Sequence, residues 1–353
     1  MTHRPFHLAV AFVTALSTVI VQHAVISADT PLSSSVHRYL MGTSMTIEVY
    51  GGDPRSRTEA IDEAYASMTE IDRLMSNYRP DSELAQINAQ AALHPVRVSA
   101  PMWGVLSAAQ LVSQRSAGTF DITVGPLVRL WGFHDKRPHI PTRDELQQVR
   151  PLIGYEHLVL DERSQTVAFT RSGVELDLGG IAKGFAVELA GGVLRRRGFS
   201  GLIDAGGNQY LVGHPAGKSS WQVGIEDPDK PGGLLGVLDV DDGAISTSGG
   251  YHNFFVANGK TYGHLLDPRS LRPADSALSV TIVSPDATLA DALSKPAFIL
   301  GPVAGLKLVE SFPGTLAIIA TRGGDGDVDL TMSAPLRARF RSTTTRASTS
   351  LLK

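Results

Sequence analysis

Residues 175–184 read Glu-Leu-Asp-Leu-Gly-Gly-Ile-Ala-Lys-Gly, and these types at this spacing suit a ligand that is both phosphorylated and hydrogen-bonding. Gly179 and Gly180 let the backbone come close to a bound group. A helix opening just after them would aim its N–H groups at an anion. Lys183 adds a positive charge there, and Asp177 adds an acceptor. The expected layout is a strand ending near Asp177, a tight turn and then a helix, with a nucleotide as the kind of ligand that uses all of these groups.

Other segments tie polar groups to turns, and each has a plain structural reading when taken singly. Tyr78 and Phe120 have the character of packing residues, His264 of a structural histidine, and Asp291 of a helix cap or a solvated charge. Asp267-Pro268 opens a turn, and Gly206-Gly207 shapes a hairpin. Several chemistries fit poorly. Ser248 lies in Thr-Ser-Gly-Gly rather than Gly-x-Ser-x-Gly, which argues against an acyl-transfer nucleophile elbow. The glycines form neither a dinucleotide fingerprint nor a Walker loop. No carboxylates form a recognisable glycosidase-type pair. A net charge of −3 gives no reason to propose nucleic acid as a partner. Having no cysteine excludes disulfide partners, thiolate metal ligands and a cysteine nucleophile.

The elements that must position these residues read as α+β. Residues 45–50 alternate like a strand, and 58–75 place Ile61, Ala64, Met68, Ile71 and Met75 at helical spacing. Further helices are expected at 101–115, 144–149 and 185–197, with a late pair at 289–300 and 303–312. Short strands are expected at 158–160, 166–170, 201–204, 221–225, 235–240, 254–257, 279–283 and 316–320. Hairpin-length connections dominate after residue 200, so the sheets should be mainly antiparallel with helices flanking them. With 353 residues and 42% hydrophobic content the chain can bury a large core.

The first 28 residues have the layout of a secretory signal peptide. Arg4 precedes an apolar stretch at 8–21, and Ile26-Ser27-Ala28 supplies a small residue for cleavage. Export to a periplasm is the expectation, with an uncleaved inner-membrane anchor as the rival; no other run reads as long and apolar enough to span. Residues 35–340 read as a single domain, and 341–353, rich in Ser, Thr and Arg, as a disordered tail.

The order of the motifs adds to the residue-by-residue reading. Met41-Gly42-Thr43, Ser76-x-Tyr78-x-x-x-Ser82-Glu83 and Phe120-Asp121-x-Thr123-Val124-x-Pro126-Leu127 come first. The run from Asp177 to Gly184, Gly206-Gly207, Thr247-Ser248-Gly249, His264-Leu265-Leu266-Asp267-Pro268 and Ala290-Asp291-Ala292 follow. Over about residues 36–328 this series resembles the ApbE family, the FAD:protein FMN transferases. The resemblance implies a T-fold-like ApbE architecture. It also implies a reaction in which FAD is cleaved at its pyrophosphate, FMN passes to a Ser or Thr of an acceptor flavoprotein as a phosphoester, and AMP leaves, with Mg²⁺ required. The acceptor would be a membrane or periplasmic electron-transfer protein. By similarity, Met41, Tyr78, Thr119, Phe120, Asp121, Asp177, Lys183, His264 and Leu265 would line the FAD site. The Gly180 carbonyl and the Asp291 side chain would hold the metal, with His264 and Asp291 the catalytic groups and His264 the general base.

The chain also departs from the family pattern. Lys295 stands four residues after Asp291, where the family usually has Thr or Ser as a third metal ligand. Residues at i and i+4 share a helix face, and an ammonium only donates. Lys295 can pair with Asp291 and close the metal site, neutralise the pyrophosphate itself, or swing out and leave the position to water. Pro296 follows inside a helix pattern, Gly250 removes a frequent Asp or Asn side chain, and Leu271 replaces a usual glycine. Two other functions stay open on these departures: a non-catalytic periplasmic FAD-binding or flavin-delivery protein for a reductase system, and an FAD pyrophosphatase that gives free FMN and AMP.

Overall fold

Met45, Ile47 and Val49 are fully buried while their neighbours are not, so Thr43–Tyr50 forms a strand with one face in the core. In the computed structural model, which describes residues 13–14, 33–215, 217–251, 253–324, 326–344 and 347–350, this strand pairs with Ser33–Leu40 and with Ser200–Ala205. The sheet continues through Asn208–Val212, Gly243–Gly249, Ser279–Ser284, Leu316–Arg322 and Val328–Met332, antiparallel at every step. Ala347–Ser350 then adds a parallel edge strand. The mainly antiparallel sheet expected from the hairpin spacing is therefore present.

Seven α-helices occur among the described residues. They are α1 (Pro54–Met75), α2 (Glu83–Gln90), α3 (Ala100–Arg115), α4 (Gly125–Leu130), α5 (Arg143–Val149), α6 (Ala182–Arg196) and α7 (Ala287–Glu310). Helix α1 starts where Asp53 accepts hydrogen bonds from the Arg55 and Ser56 amides, with Pro54 at its first position. Its apolar stripe of Ile61, Ala64, Met68, Ile71 and Met75 is buried, as the spacing required. Helices α1, α6 and α7 pack with one sheet face into the main core. The other face is covered by a small sheet of Trp221–Glu226, Leu234–Val240 and Phe340–Ser342, which closes a second core. A third apolar cluster, around Trp131, Phe133, Phe255 and Leu271, joins α4 and α5 to the hairpin of Asn253–Ala257 and Lys260–Gly263.

Several expectations need correction. No strand runs up to Asp177; only Glu175 makes an isolated parallel bridge, to Val124. Helix α6 begins three residues before the expected 185, because glycines and Ile181 carry no cap or breaker signal that marks its start. The late helix pair is one element broken at Gly301, whose φ of 74° and ψ of −172° are non-helical; Pro296 lies inside the helical run rather than ending it. Helix α7 is also long and apolar enough to cross a membrane, contrary to the expectation that no run after the first 28 residues is, but it is a mostly buried core helix. In the segment expected as a disordered tail, Phe340–Ser342 pairs with residues 236–238 and Ala347–Ser350 pairs with residues 328–331. The signal segment at 1–28 lies outside the described residues except for Val13–Thr14, which pairs with Asn253 and Phe254.

Leu271 shows how a departure from glycine is accommodated. Its φ is 62°, the left-handed region where glycine is favoured, yet its side chain is buried in the third cluster and its carbonyl accepts from Trp131 Nε1 at 3.0 Å. Restoring glycine would relieve about 1–2 kcal/mol of backbone strain. It would also delete a buried leucine, a loss of about 2–5 kcal/mol. Leu271→Gly is expected to lower unfolding stability by a net ~1–3 kcal/mol in urea melts; an unchanged or raised midpoint would contradict this packing account.

Candidate active site

The site is organised where the start of α6 meets α7. Leu178 accepts from the Ile181 and Ala182 amides as the chain turns into the helix, and Ile181 supplies no side-chain cap. The cap comes from another element. Asp291, fully buried on α7, accepts from the Gly184 amide with Oδ2 at 2.8 Å. A Cβ at Gly184 would stand 2.3 Å from the Ala287 carbonyl oxygen and 2.5 Å from Asp291 Cβ, so the helices approach this closely only because residue 184 has no side chain. Lys183, at the helix start, donates to the Gly179 carbonyl at 3.3 Å.

Two adjoining clefts open beside this start. One, of about 400 Å³, is lined by Met41, Asn77, Tyr78, Gly179 and Lys183 among others. The second, of about 320 Å³, is lined by Asn77, Asn88, His134, Glu175 and Asp177 among others. Met41 reaches the first cleft from a two-residue hairpin turn with φ of 50°, followed by Gly42 at 76°; such turns favour Asn-Gly, and methionine there holds backbone strain at the site. Tyr78 is 72% exposed and stacks on His134, ring centroids 4.7 Å apart and planes within 10°. Asn88 grips the Leu176 backbone with both ends of its amide, and Asp177 Oδ1 accepts from the Gly179 amide at 2.7 Å, so the approach to the turn is fixed.

The Thr119–Asp121 stretch lies behind this turn, tied to it by the Asp177 amide donating to the Ile122 carbonyl at 2.7 Å. Phe120 packs on the turn itself, where a Cβ at Gly180 would lie 3.4 Å from its ring. Thr119 is buried, and its hydroxyl has no hydrogen-bond partner within the protein. Asp121 is buried as well and accepts from the Thr123 amide and hydroxyl, each at 2.7 Å. Burial pushes its carboxyl up to about 6, against the pull of those Thr123 donors. An orphaned buried hydroxyl beside a buried acceptor fits a ligand with a polar ring edge.

His264 sits on the hairpin lobe, outside the lining of either cleft. Its Nδ1–H donates to the Asn253 carbonyl at 3.0 Å, which places the lone pair of the neutral ring on Nε2. Leu265 is a core residue of the main cluster. Asn77 and His134 were not singled out from the sequence. Asn77 stands beside Tyr78 in the quoted motif and could have been flagged; His134 carries no sequence signal.

The residues proposed for a metal are arranged against one. Lys295 ion-pairs with Asp291 through Oδ1, and its ammonium also donates to the Asp291 carbonyl at 2.8 Å. Its stem lies beside Gly180, where a Cβ would be 3.7 Å from Lys295 Cε. Burial pulls the ammonium below its ordinary value; Asp291 opposes this and the charge of Lys183 adds to it. Ser294 donates to the Asp291 carbonyl at 2.7 Å and meets the Ser248 hydroxyl at 2.8 Å. A donor-only ammonium next to both Gly180 and Asp291 does not fit a divalent cation there. Among the described residues no group of three or more His, Asp or Glu is set to hold a metal either.

Fold and site together define an α+β protein with two adjoining clefts at a helix start. A family model described as the ApbE family matches residues 41–320, and the chain belongs to that family. A Treponema pallidum relative named FAD:protein FMN transferase is 32% identical over 296 residues, covering 79% of this chain and 82% of its own length. An Escherichia coli relative of the same name is 30% identical over 292 residues, covering 81% and 83%. The crystal structure of the ApbE protein from Thermotoga maritima superposes with a TM-score of 0.79 at 30% identity, over 88% of this chain and all of that one. The flavin transferase ApbE from Vibrio cholerae does so at 0.76 and 29%, over 87% of this chain and all of that one.

The raised carboxyl of Asp121 has a consequence for stability. Its folded value of about 6 lies above the ordinary 3.8, so the folded state favours the protonated form. That contribution is full below the ordinary value and is lost as pH rises through about 6. Asp121→Asn, which keeps the acceptor for Thr123 and cannot ionise, is expected to gain about 2–3 kcal/mol relative to the parent between pH 4 and pH 8 in urea melts. A difference that does not move with pH, or that moves the other way, would count against a buried ionising Asp121.

Proposed function

We propose that this chain transfers the FMN half of FAD to a Ser or Thr hydroxyl of an acceptor protein, through a phosphoester bond and with release of AMP. The observation that carries the reading is the convergence at the α6 start of Lys183, the Asp291–Lys295 pair and the open clefts beside them. Named relatives across most of the chain support it.

The chemistry needs little covalent help from the protein. The acceptor oxygen bonds to the flavin-side phosphorus, the bond from that phosphorus to the bridging oxygen breaks, and AMP departs with the electron pair. Catalysis is then positioning together with neutralisation of charge on the phosphates. Lys183 lies at the helix N-terminus, where its ammonium and the positive end of the helix dipole act on the same phosphates. Exposed Tyr78 offers a flat apolar face for a ring system, while Phe120 backs the turn and the Thr119 hydroxyl and Asp121 beside it are polar partners for a ring edge. His264, holding its lone pair on Nε2, takes the hydroxyl proton and is the general base of this reading. The signal-like layout of residues 4–28 supports action after export, on a membrane or periplasmic electron-transfer acceptor.

Incubation with FAD and an acceptor domain should give an acceptor heavier by one FMN phosphoryl group, with AMP released in equal amount. An unmodified acceptor beside intact bound FAD would overturn the reading in favour of a flavin-binding protein. Free FMN and AMP formed without acceptor would point to a pyrophosphatase. His264→Gln is expected to lower transfer about 10²–10⁴-fold with FAD affinity little changed.

A further inference from the structure

The ion pair within α7, facing the start of α6, is placed unlike a structural salt bridge. Asp291 is fully enclosed, whereas the Lys295 side chain keeps 18% of its surface open. The carboxylate is engaged through its other oxygen by the Gly184 amide. Lys295 is held at two points, Asp291 Oδ1 and the Asp291 carbonyl, and the Ser248–Ser294 hydroxyl chain steadies that same carbonyl. An ammonium fixed at the carboxylate and the carbonyl of one buried residue is a preorganised positive charge.

We propose that Lys295 is the built-in cation of this site, and that the chain holds the diphosphate of its ligand with Lys295, Lys183 and the α6 start in place of a divalent metal. The inference takes its ligand class from the FMN-transfer reading. Charge arithmetic supports it. Lys295 balances the buried Asp291, and the Lys183 ammonium then adds to the positive helix N-terminus, with Asp177 at the same turn as the remaining carboxylate. A dication added between Gly180 and Asp291 would have to displace Lys295 from both of its acceptors and would then face two ammoniums. The two lysines also divide the work. Lys183 is held only by a 3.3 Å contact to the Gly179 carbonyl and can follow the ligand, while Lys295 is fixed before the ligand arrives. Charge fixed in advance costs no reorganisation when the phosphates bind. Gly180 serves this arrangement by leaving room beside the lysine stem.

The test uses Mn²⁺ as a paramagnetic probe and FAD as the ligand. For the parent protein, no Mn²⁺ beyond that held by FAD alone should be bound in electron paramagnetic resonance titrations. FAD affinity, read from flavin fluorescence, should differ by less than about twofold between EDTA and excess Mg²⁺. Lys295→Thr should lose about tenfold or more in FAD affinity in EDTA, recover with Mg²⁺, and bind Mn²⁺ in the presence of FAD. One Mn²⁺ bound per parent–FAD complex would overturn the proposal, as would a loss of about tenfold in parent affinity on adding EDTA. The parent measurements decide the question even where the variant folds poorly. They also stand apart from the transfer reading, since neither needs an acceptor to be modified.

Discussion

The closest contact on which the site depends is the crossing of α6 and α7 at Gly184 and Asp291. The first amides of a helix have no partners of their own, and α6 begins without a side chain of its own to cap it. Asp291 supplies the missing acceptor from a neighbouring helix, and it can do so only because Gly184 leaves room for backbone-to-backbone approach. A carboxylate buried this deeply needs a counter-charge, and Lys295 provides it. Helix start, carboxylate and ammonium are therefore one unit, in which removal of any member leaves a buried polar group unpaired.

The surrounding fold holds that unit steady. The long sheet has an apolar core on each face, so its register is fixed from both sides. Helices α1, α6 and α7 share one of those cores, which makes the α6–α7 crossing part of the main packing and not a surface detail. Strain is placed at the edges of this frame. Met41 stands in a left-handed turn at the mouth of the cleft, and Leu271 does so beneath the hairpin lobe that carries His264.

Local pattern made some of this legible. Helix α1 was readable because Ile61, Ala64, Met68, Ile71 and Met75 keep a helical period long enough to exclude a strand. The antiparallel sheet was readable because its hairpins are local in sequence. The strand expected before Asp177 failed because Leu176 and Leu178 are buried as parts of a turn, and alternation over so few residues does not separate the two. The ordered strands after residue 339 were missed because their pairing partners lie a hundred residues or only an edge away, while their own composition is polar.

By itself the sequence determined the α+β class, the glycine turn into a helix, and the set of residue types suited to a phosphorylated, hydrogen-bonding ligand. It also brought Asp291 and Lys295 onto one helix face, because a spacing of four residues is a local property of the backbone. Which of the open arrangements Lys295 adopts was decided only by tertiary structure. The Gly184 amide comes from a segment more than a hundred residues away in the chain, and Gly180 of that same segment lies beside the lysine stem. These distant groups set the burial and the available acceptors, and it is burial that binds the ammonium to Asp291 instead of leaving it to water.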